Sequence, residues 1–172
     1  MLDHVFTALD DADLLIFSDF NYGALPQDLV DEISDECTRR EIMMVADSQS
    51  SSQVGDVSRF KKAFLLTPTE REARLALSNY EDGLVVLAEA LRIKTNAQNI
   101  VITLGAEGLL IHAAHPKKTE WLTDRLPTLN TAPKDTAGAG DCLLVCSAMA
   151  LALGRPVWES LYLGSVAAAC QV

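Results

Sequence analysis

The chain has 172 residues, of which 49% are hydrophobic and 22% charged, a balance typical of one globular domain with an apolar core. Its formal net charge of -10 argues against nucleic acid or an anionic membrane as the main partner. A local nest of backbone amides binds phosphate even on an acidic protein, so a nucleotide remains a candidate ligand.

Apolar runs alternate with segments of helical period along the chain. The first strands are predicted at 13–18, 42–46, 63–66 and 99–103, with helices between them. A short glycine-containing connection predicts a hairpin into a further strand at 109–113. A looser strand pattern at 119–126 and two helices, at 142–153 and 157–169, follow. This order predicts a single α/β domain over residues 1–172, with a parallel sheet covered by helices on both faces.

Cysteines and histidines give little sign of metal or disulfide chemistry. None of the 4 cysteines forms a Cys-x-x-Cys pair, and the 3 histidines have no ligand-like neighbours in the sequence. We therefore expect reduced thiols, no structural zinc and a cytoplasmic location. Cys142 and Cys146 fall on one face of a predicted helix and are interpreted as small core residues. The N-terminus shows no signal-peptide pattern, and the longest apolar stretch is too short to span a bilayer.

The segment Lys-Asp-Thr-Ala-Gly-Ala-Gly-Asp at 134–141 stands directly before the first of these two helices. Gly138 and Gly140 allow backbone conformations and a close ligand approach that a Cβ forbids. The first amides of a helix lack intrahelical acceptors and carry partial positive charge, so this segment is a candidate anion site. Asp141 would repel a bound phosphate, but it suits a base that takes a proton from a hydroxyl during phosphoryl transfer. The structural alternative is a tight turn with an Asp that favours the helix dipole.

This segment resembles the Asp-Thr-x-Gly-Ala-Gly-Asp signature of the ribokinase-like (PfkB) carbohydrate kinases. The resemblance implies a ribokinase-like three-layer α/β/α fold and ATP-dependent phosphorylation of a sugar or sugar-phosphate hydroxyl. It implies that Asp141 is the catalytic base. It also implies that Gly138 shapes the turn and that Ala139 and Gly140 supply amides to the transferred phosphoryl group. Asp135 and Thr136 are implied to contact the cofactor.

Two further segments resemble motifs of the same family. Residues 67–72 are similar to Thr-Pro-Asn-x-x-Glu, with Thr69 in place of the Asn, and this match assigns Glu72 to organise water and Mg²⁺ near the phosphates. Acids in the first turn of a helix explain this segment equally well. Residues 103–108 are similar to Thr-x-Gly-x-x-Gly, a segment that lies along the nucleotide in the family. The match implies ATP contacts from Thr103, Gly105 and Gly108, and a glycine hairpin turn is the alternative.

Two segments near the first strands match the family in part. Residues 18–23 resemble the Ser-Asp-Tyr-x-Lys-Gly segment of the heptose-phosphate kinase branch, with Tyr22 in place of the Lys. Asp47-Ser48-Gln49 stands where many members have Asp-Pro-Lys or Asp-Pro-Asn. Asp19 and Asp47 are equally suited to closing turns. The sugar stays open, and a heptose 7-phosphate is suggested only by residues 18–23.

The resemblance covers the C-terminal part of the family only. The N-terminal part, with sugar-binding segments and a β-sheet lid, has no counterpart before Asp13, so we expect impaired catalysis by this chain. A non-catalytic nucleotide-binding or interaction domain derived from a sugar kinase is the alternative function, whereas a flavodoxin-like or receiver domain leaves the glycine pattern unexplained. The expected ligands are ATP, Mg²⁺ and a small sugar or sugar phosphate. The oligomeric state is left between a monomer and a homodimer.

Overall fold

A computed structural model describes residues 2–50, 54–114 and 120–172. These residues form one six-stranded sheet whose strands lie side by side in the order of the sequence. The first four strands are parallel, and the last two are antiparallel to their neighbours. The strands are β1 (Leu14–Asp19), β2 (Met43–Ser48), β3 (Leu65–Leu66), β4 (Asn99–Thr103), β5 (Leu109–Ala114) and β6 (Trp121–Leu126).

Helices cover both faces of this sheet, which gives the predicted three-layer α/β/α arrangement. Side chains alternate between the two faces along each strand. Val45 and Leu65 therefore pack in one apolar cluster, under the last two helices, while Ala46 and Leu66 pack in the other, under the first four. The helices are α1 (Leu2–Ala8), α2 (Gln27–Arg39), α3 (Glu70–Leu77), α4 (Leu84–Thr95), α5 (Ala139–Ala152) and α6 (Val157–Gln171).

Most predicted elements are present, with shifted ends. β1 and β2 continue to Asp19 and Ser48, because their parallel ladder extends through the pairs Ser18–Asp47 and Asp19–Ser48. Asp47 is thus a strand residue and not part of a turn. The predicted hairpin between β4 and β5 is confirmed by their antiparallel pairing.

Two expectations need correction, and one helix has no counterpart among the predicted elements. The helix predicted from residue 142 begins at Ala139, so only the first of the two glycines, Gly138, lies in the turn and Gly140 is helical. Cys142 and Cys146 are half-buried, so their interpretation as core residues is wrong. Helix α1 was not predicted. Part of the serine-rich loop, residues 51–53, and the start of the loose strand pattern, residue 119, lie outside the described residues.

Helices α5 and α6 pack closely enough to exclude a side chain at their crossing. A Cβ on Gly164 would lie 2.1 Å from Ser147 Oγ and 2.6 Å from the carbonyl oxygen of Leu143. This close approach fixes the position of α5 relative to the end of the chain. In the part of the chain that the structure describes, the helices are too short or too polar to cross a bilayer.

Candidate active site

The start of α5 lies beside the carboxyl ends of the parallel strands. Asp141 is half-buried in the first turn of α5, and its Oδ1 accepts a hydrogen bond of 3.1 Å from the side-chain amide of Gln49, directly after β2. In open α/β sheets, ligands bind at this edge, outside the carboxyl ends of the strands. The predicted base therefore stands where the fold places ligand sites.

The turn before α5 is held by local hydrogen bonds. Gly138 has φ +78°, a left-handed conformation that favours glycine. The Oδ1 of Asp135 accepts from the amide of Ala137 at 2.9 Å, and the amide of Ala139 donates to the carbonyl of Thr136 at 3.3 Å. The next amides, of Gly140 and Asp141, lie in the first turn, where a helix supplies no acceptor of its own. These amides can receive an anion.

A groove of about 570 Å³ begins at this turn. Among the described residues, no atom lies within 4 Å of a Cβ built on Gly140, so this residue presents bare backbone to the groove. The groove brings together four parts of the chain that are distant in sequence, and six of the predicted site residues line it: Thr103, Gly105, Gly108, Thr136, Ala139 and Gly140.

The part of the groove away from α5 is mostly apolar. Its walls include Leu109, Pro127, Leu129 and Pro133, with Ala168 and Ala169 from α6. The loop between β6 and α5 is tied to the end of α6, since the side-chain amide of Asn130 donates to the carbonyls of Ala169 at 3.2 Å and Val172 at 2.8 Å. A ligand with an apolar ring at one end and an anionic group at the other matches this groove.

The two glycines between β4 and β5 differ in their surroundings. Gly108 has φ +89°, and a Cβ there would lie 2.0 Å from the carbonyl oxygen of Leu126. Gly105 has φ +59°, and no described atom lies within 4 Å of its built Cβ. Gly108 is therefore required by the packing of the hairpin against the end of β6, whereas Gly105 borders free space in the groove.

Glu72 is buried and bound by backbone amides on both sides. Its Oε2 accepts from the amide of Thr69 at 2.8 Å, and the Thr69 hydroxyl accepts from the amide of Glu72 at 3.2 Å. This capping box begins α3. The other oxygen, Oε1, accepts from the amide of Ser50 at 2.7 Å and so joins α3 to the loop after β2.

Three carboxylates lie near one another at this edge. Burial, with smaller contributions from the negative charges of Glu72 and Asp141, raises the pKa of Asp47 to about 7, although a hydrogen bond from the Ser48 amide acts to lower it. The usual value for Asp47 would be 3.8. The edge of the sheet is therefore an electronegative site next to a helix N-terminus.

Sequence comparison decides the family. The sequence model of the family described as "pfkB family carbohydrate kinase" matches residues 1–172. The chain belongs to this family. The bifunctional protein HldE of Trichlorobacter lovleyi is 30% identical over 163 residues, which cover 93% of this chain and 31% of the relative. HldE of Helicobacter hepaticus is 26% identical over 175 residues, which cover 100% of this chain and 34% of the relative. The chain thus spans about a third of the length of these curated relatives.

Solved structures agree with the family at the level of fold. Arabidopsis thaliana ribokinase complexed with ribose and ATP superposes with a TM-score of 0.77 and 16% identity, over 99% of this chain and 53% of its own. Escherichia coli phosphofructokinase-2 in complex with substrates and products gives 0.76 and 16%, over 98% of this chain and 54% of its own. Identities this low establish the ribokinase-like fold alone.

Within this PfkB-family fold, polar groups at the ends of β1 and β2 make contacts that were not predicted from the sequence. Gln49 contacts the predicted base, and the amide of Ser50 binds the predicted metal-associated acid. Asp19 is 3% exposed and pairs with Arg59 at 3.0 Å, while its Oδ1 accepts from the amide of Asn21 at 2.9 Å. Asp19 therefore closes the turn after β1, which is the structural alternative given for it in the sequence analysis.

Proposed function

We propose that this chain is the nucleotide-binding and catalytic part of an ATP-dependent carbohydrate kinase that acts on a sugar or sugar-phosphate hydroxyl. The observation that carries the proposal is the groove, because motif residues from 103–108 and 136–140 line the same space and the first turn of α5 borders it. Asp141 follows directly in that turn. A pure binding site gains nothing from a carboxylate facing phosphate, whereas phosphoryl transfer needs a group that accepts the hydroxyl proton.

In this proposal the apolar part of the groove holds the adenine ring, with Thr103 and Gly105 beside the nucleotide. The amides of Gly140 and Asp141 stabilise charge on the γ-phosphoryl group, and that of Ala139 joins them if it leaves the Thr136 carbonyl, while Gly138 shapes the turn and Asp135 and Thr136 lie at its start. Asp141 takes the proton from the attacking hydroxyl. Phosphoryl transfer depends mainly on positioning and electrostatics, so this set of groups supplies the required chemistry.

Mg²⁺ fits the donor chemistry of the electronegative edge. Bound to the nucleotide, the ion would neutralise charge on the phosphates. Among the described residues, no group of three or more His, Cys, Asp or Glu side chains is arranged to hold a metal ion. Both oxygens of Glu72 already accept backbone hydrogen bonds, so Glu72 would orient Mg²⁺-bound water through its remaining lone pairs.

Calorimetric binding of ATP and of a non-hydrolysable analogue, with and without Mg²⁺, tests the nucleotide site. A Cβ on Gly140 meets no described atom within 4 Å outside its own helix backbone and chain neighbours, so we expect Gly140→Val to fold and to take space from the ligand. Gly83→Val is the matched control, because Gly83 precedes α4 and its built Cβ also has no described atom within 4 Å. Equal binding by wild type and Gly140→Val would refute this location.

Asp141→Asn tests the catalytic assignment separately from binding. Loss of the base should lower turnover by about 10²- to 10⁴-fold in a protein with kinase activity. ATP binding should persist in this variant, because the amides of the first turn remain. Unchanged turnover would remove Asp141 from the mechanism.

A non-catalytic nucleotide-binding domain is the second candidate. It is favoured by Tyr22, which occupies the place of the lysine and is 71% exposed, so the cation expected for a substrate phosphate is absent from that position. ATP binding with no phosphoryl transfer to any of a panel of sugars, a heptose 7-phosphate included, would favour it. A homodimer and a cytoplasmic location remain predictions, and sedimentation at several concentrations tests the former.

A further inference from the structure

A network of hydrogen bonds joins the ends of β1 and β2 next to the candidate base, Asp141. Asn21 has φ +59°, and its side-chain amide donates to Ser48 Oγ at 3.1 Å and to the carbonyl of Gln49 at 2.6 Å. The amide of Gln49 in turn donates to the carbonyl of Asp19 at 2.9 Å. The backbone of Gln49 is therefore held on both sides by residues that follow β1.

The side chain of Gln49 leaves this network and reaches Asp141. Its amide nitrogen is 3.1 Å from Asp141 Oδ1, although the two residues are 92 positions apart in the sequence. Helix α5 also packs on β1 and β2, so this bond joins elements that already touch. Gln49 lies half-buried and does not line the nucleotide groove.

We propose that Gln49 is a positioning residue for the base of the phosphoryl transfer. The inference rests on the proposed function, because it assigns a role relative to Asp141. The amide of Gln49 holds Oδ1 and fixes the carboxylate plane, so that Oδ2 meets the acceptor hydroxyl. A neutral donor suits this task, since a cation in its place would favour the ionised carboxylate more strongly and make it a weaker base.

The network also explains residues 18–23, whose family motif is only partly matched. The Ser18–Gly23 segment places Asn21, and Asn21 holds the carbonyl of Gln49. In this chain the segment thus supports the orientation of Asp141 through two successive residues. Such support matters for rate because displacements of about 1 Å in a reacting group can lower rates about 10²-fold.

The first measurement detects the contact without requiring turnover. In ¹⁵N-correlated NMR spectra, the side-chain amide of Gln49 should shift and exchange faster with solvent when Asp141→Ala removes its acceptor. The side-chain amide of Gln27 serves as the control, because it donates to Asp31 at 2.7 Å on the exposed surface. Unchanged Gln49 resonances in Asp141→Ala would overturn the proposal.

The second measurement tests the effect on the reaction. Gln49→Leu keeps the size of the side chain but removes the donor, and it should lower kcat by about 10- to 10²-fold. The KM for ATP and the calorimetric affinity for ATP should stay within about twofold, because Gln49 does not border the groove. Gln49→Lys restores a donor and should recover part of the lost kcat, with an altered pH profile. Gln27→Leu should behave as wild type.

These results separate failure of the inference from failure of the proposed function. Wild-type kcat in Gln49→Leu, together with inactive Asp141→Asn, would overturn the positioning role while the kinase assignment stands. Loss of ATP binding in folded Gln49→Leu would also overturn it, because the residue would then act on the nucleotide. Absence of turnover in wild type and in every variant would count against the proposed function and the positioning role together, and an NMR contact between Gln49 and Asp141 would then report a structural hydrogen bond only.

Discussion

The pKa of Asp47 makes the stability of this protein depend on pH in a direction unusual for an aspartate. Burial is the main cause of the rise from 3.8 to about 7, with further contributions from the charges of Glu72 and Asp141. The native state therefore favours the protonated carboxyl. Its contribution to stability is fully present below pH 3.8 and is lost as the pH rises through about 7.

The size of the effect follows from the shift. A pKa raised by about three corresponds to about 4 kcal/mol of unfolding free energy, gained at a pH where Asp47 is protonated in both states and lost where it is ionised in both. Between pH 5 and 8 the native state should lose about 2 to 3 kcal/mol of unfolding free energy through this one group. The lowered pKa of Glu89, about 2, acts below this window and does not offset the loss.

Asp47→Asn should remove this dependence. The Asn side chain keeps an oxygen for the Ser48 amide but carries no charge, so the variant should gain about 2 to 3 kcal/mol relative to wild type between pH 5 and 8. Urea denaturation in buffer with a metal chelator measures the unfolding free energy at each pH. Asp13→Asn, at an exposed carboxylate, is the control and should leave the pH slope unchanged. Parallel pH curves for wild type and Asp47→Asn would refute the reasoning.

Two further predictions concern residues whose proposed roles overlap with structural ones. Glu72→Gln replaces one acceptor oxygen by a donor and leaves the amide of Ser50 or Thr69 without its partner, which should lower the unfolding free energy by about 1–3 kcal/mol in urea denaturation without Mg²⁺. An unchanged value would show that the buried carboxylate is not structural. Gly108→Ala should cost more than about 2 kcal/mol because its Cβ meets a backbone carbonyl, whereas Gly105→Ala should cost about 1 kcal/mol from strain alone. Equal losses in thermal unfolding would contradict this difference.

The layered fold was predictable because its signals are local. Short apolar runs such as 42–46 are typical of buried strands because they are too short for a helix, and helical segments between them favour crossovers above and below a parallel sheet. The alternation of Val45 and Ala46 between the two cores confirms this reading. The groove was predictable in part, because the family resemblance places two glycine segments on one ligand and both line it.

Contacts between distant segments were not predictable. The bond between Gln49 and Asp141 depends on where β2 ends and where α5 begins, and both positions differ from the predicted ones. The pKa of Asp47 likewise depends on burial, and burial here arises because β2 continues past Ala46. Local sequence patterns carry neither the burial of a strand end nor the neighbours of its last side chains.

The replacement of the family's Asn by Thr69 illustrates why a departure from a motif needs a physical interpretation. The Thr69 hydroxyl accepts from the amide of Glu72 at 3.2 Å and so begins α3. Asn and Thr are both good N-cap residues because each offers a side-chain oxygen to the first turn. The substitution therefore preserves the capping chemistry, and Glu72 keeps its position.

The carboxylates at the end of β2 are costly in a way that packing alone does not explain. Asp47 is 7% exposed and its ionised form is repelled by Glu72 and Asp141, so the apo protein loses stability near neutral pH. Glu72 has a structural role in the capping box of α3, whereas Asp47 and Asp141 belong to no capping box. A fold selected for stability alone would place a neutral side chain at position 47. A buried Asp47 next to Asp141 at a helix N-terminus is what the proposed phosphoryl-transfer site would require, because such a site handles protons and hydrated cations.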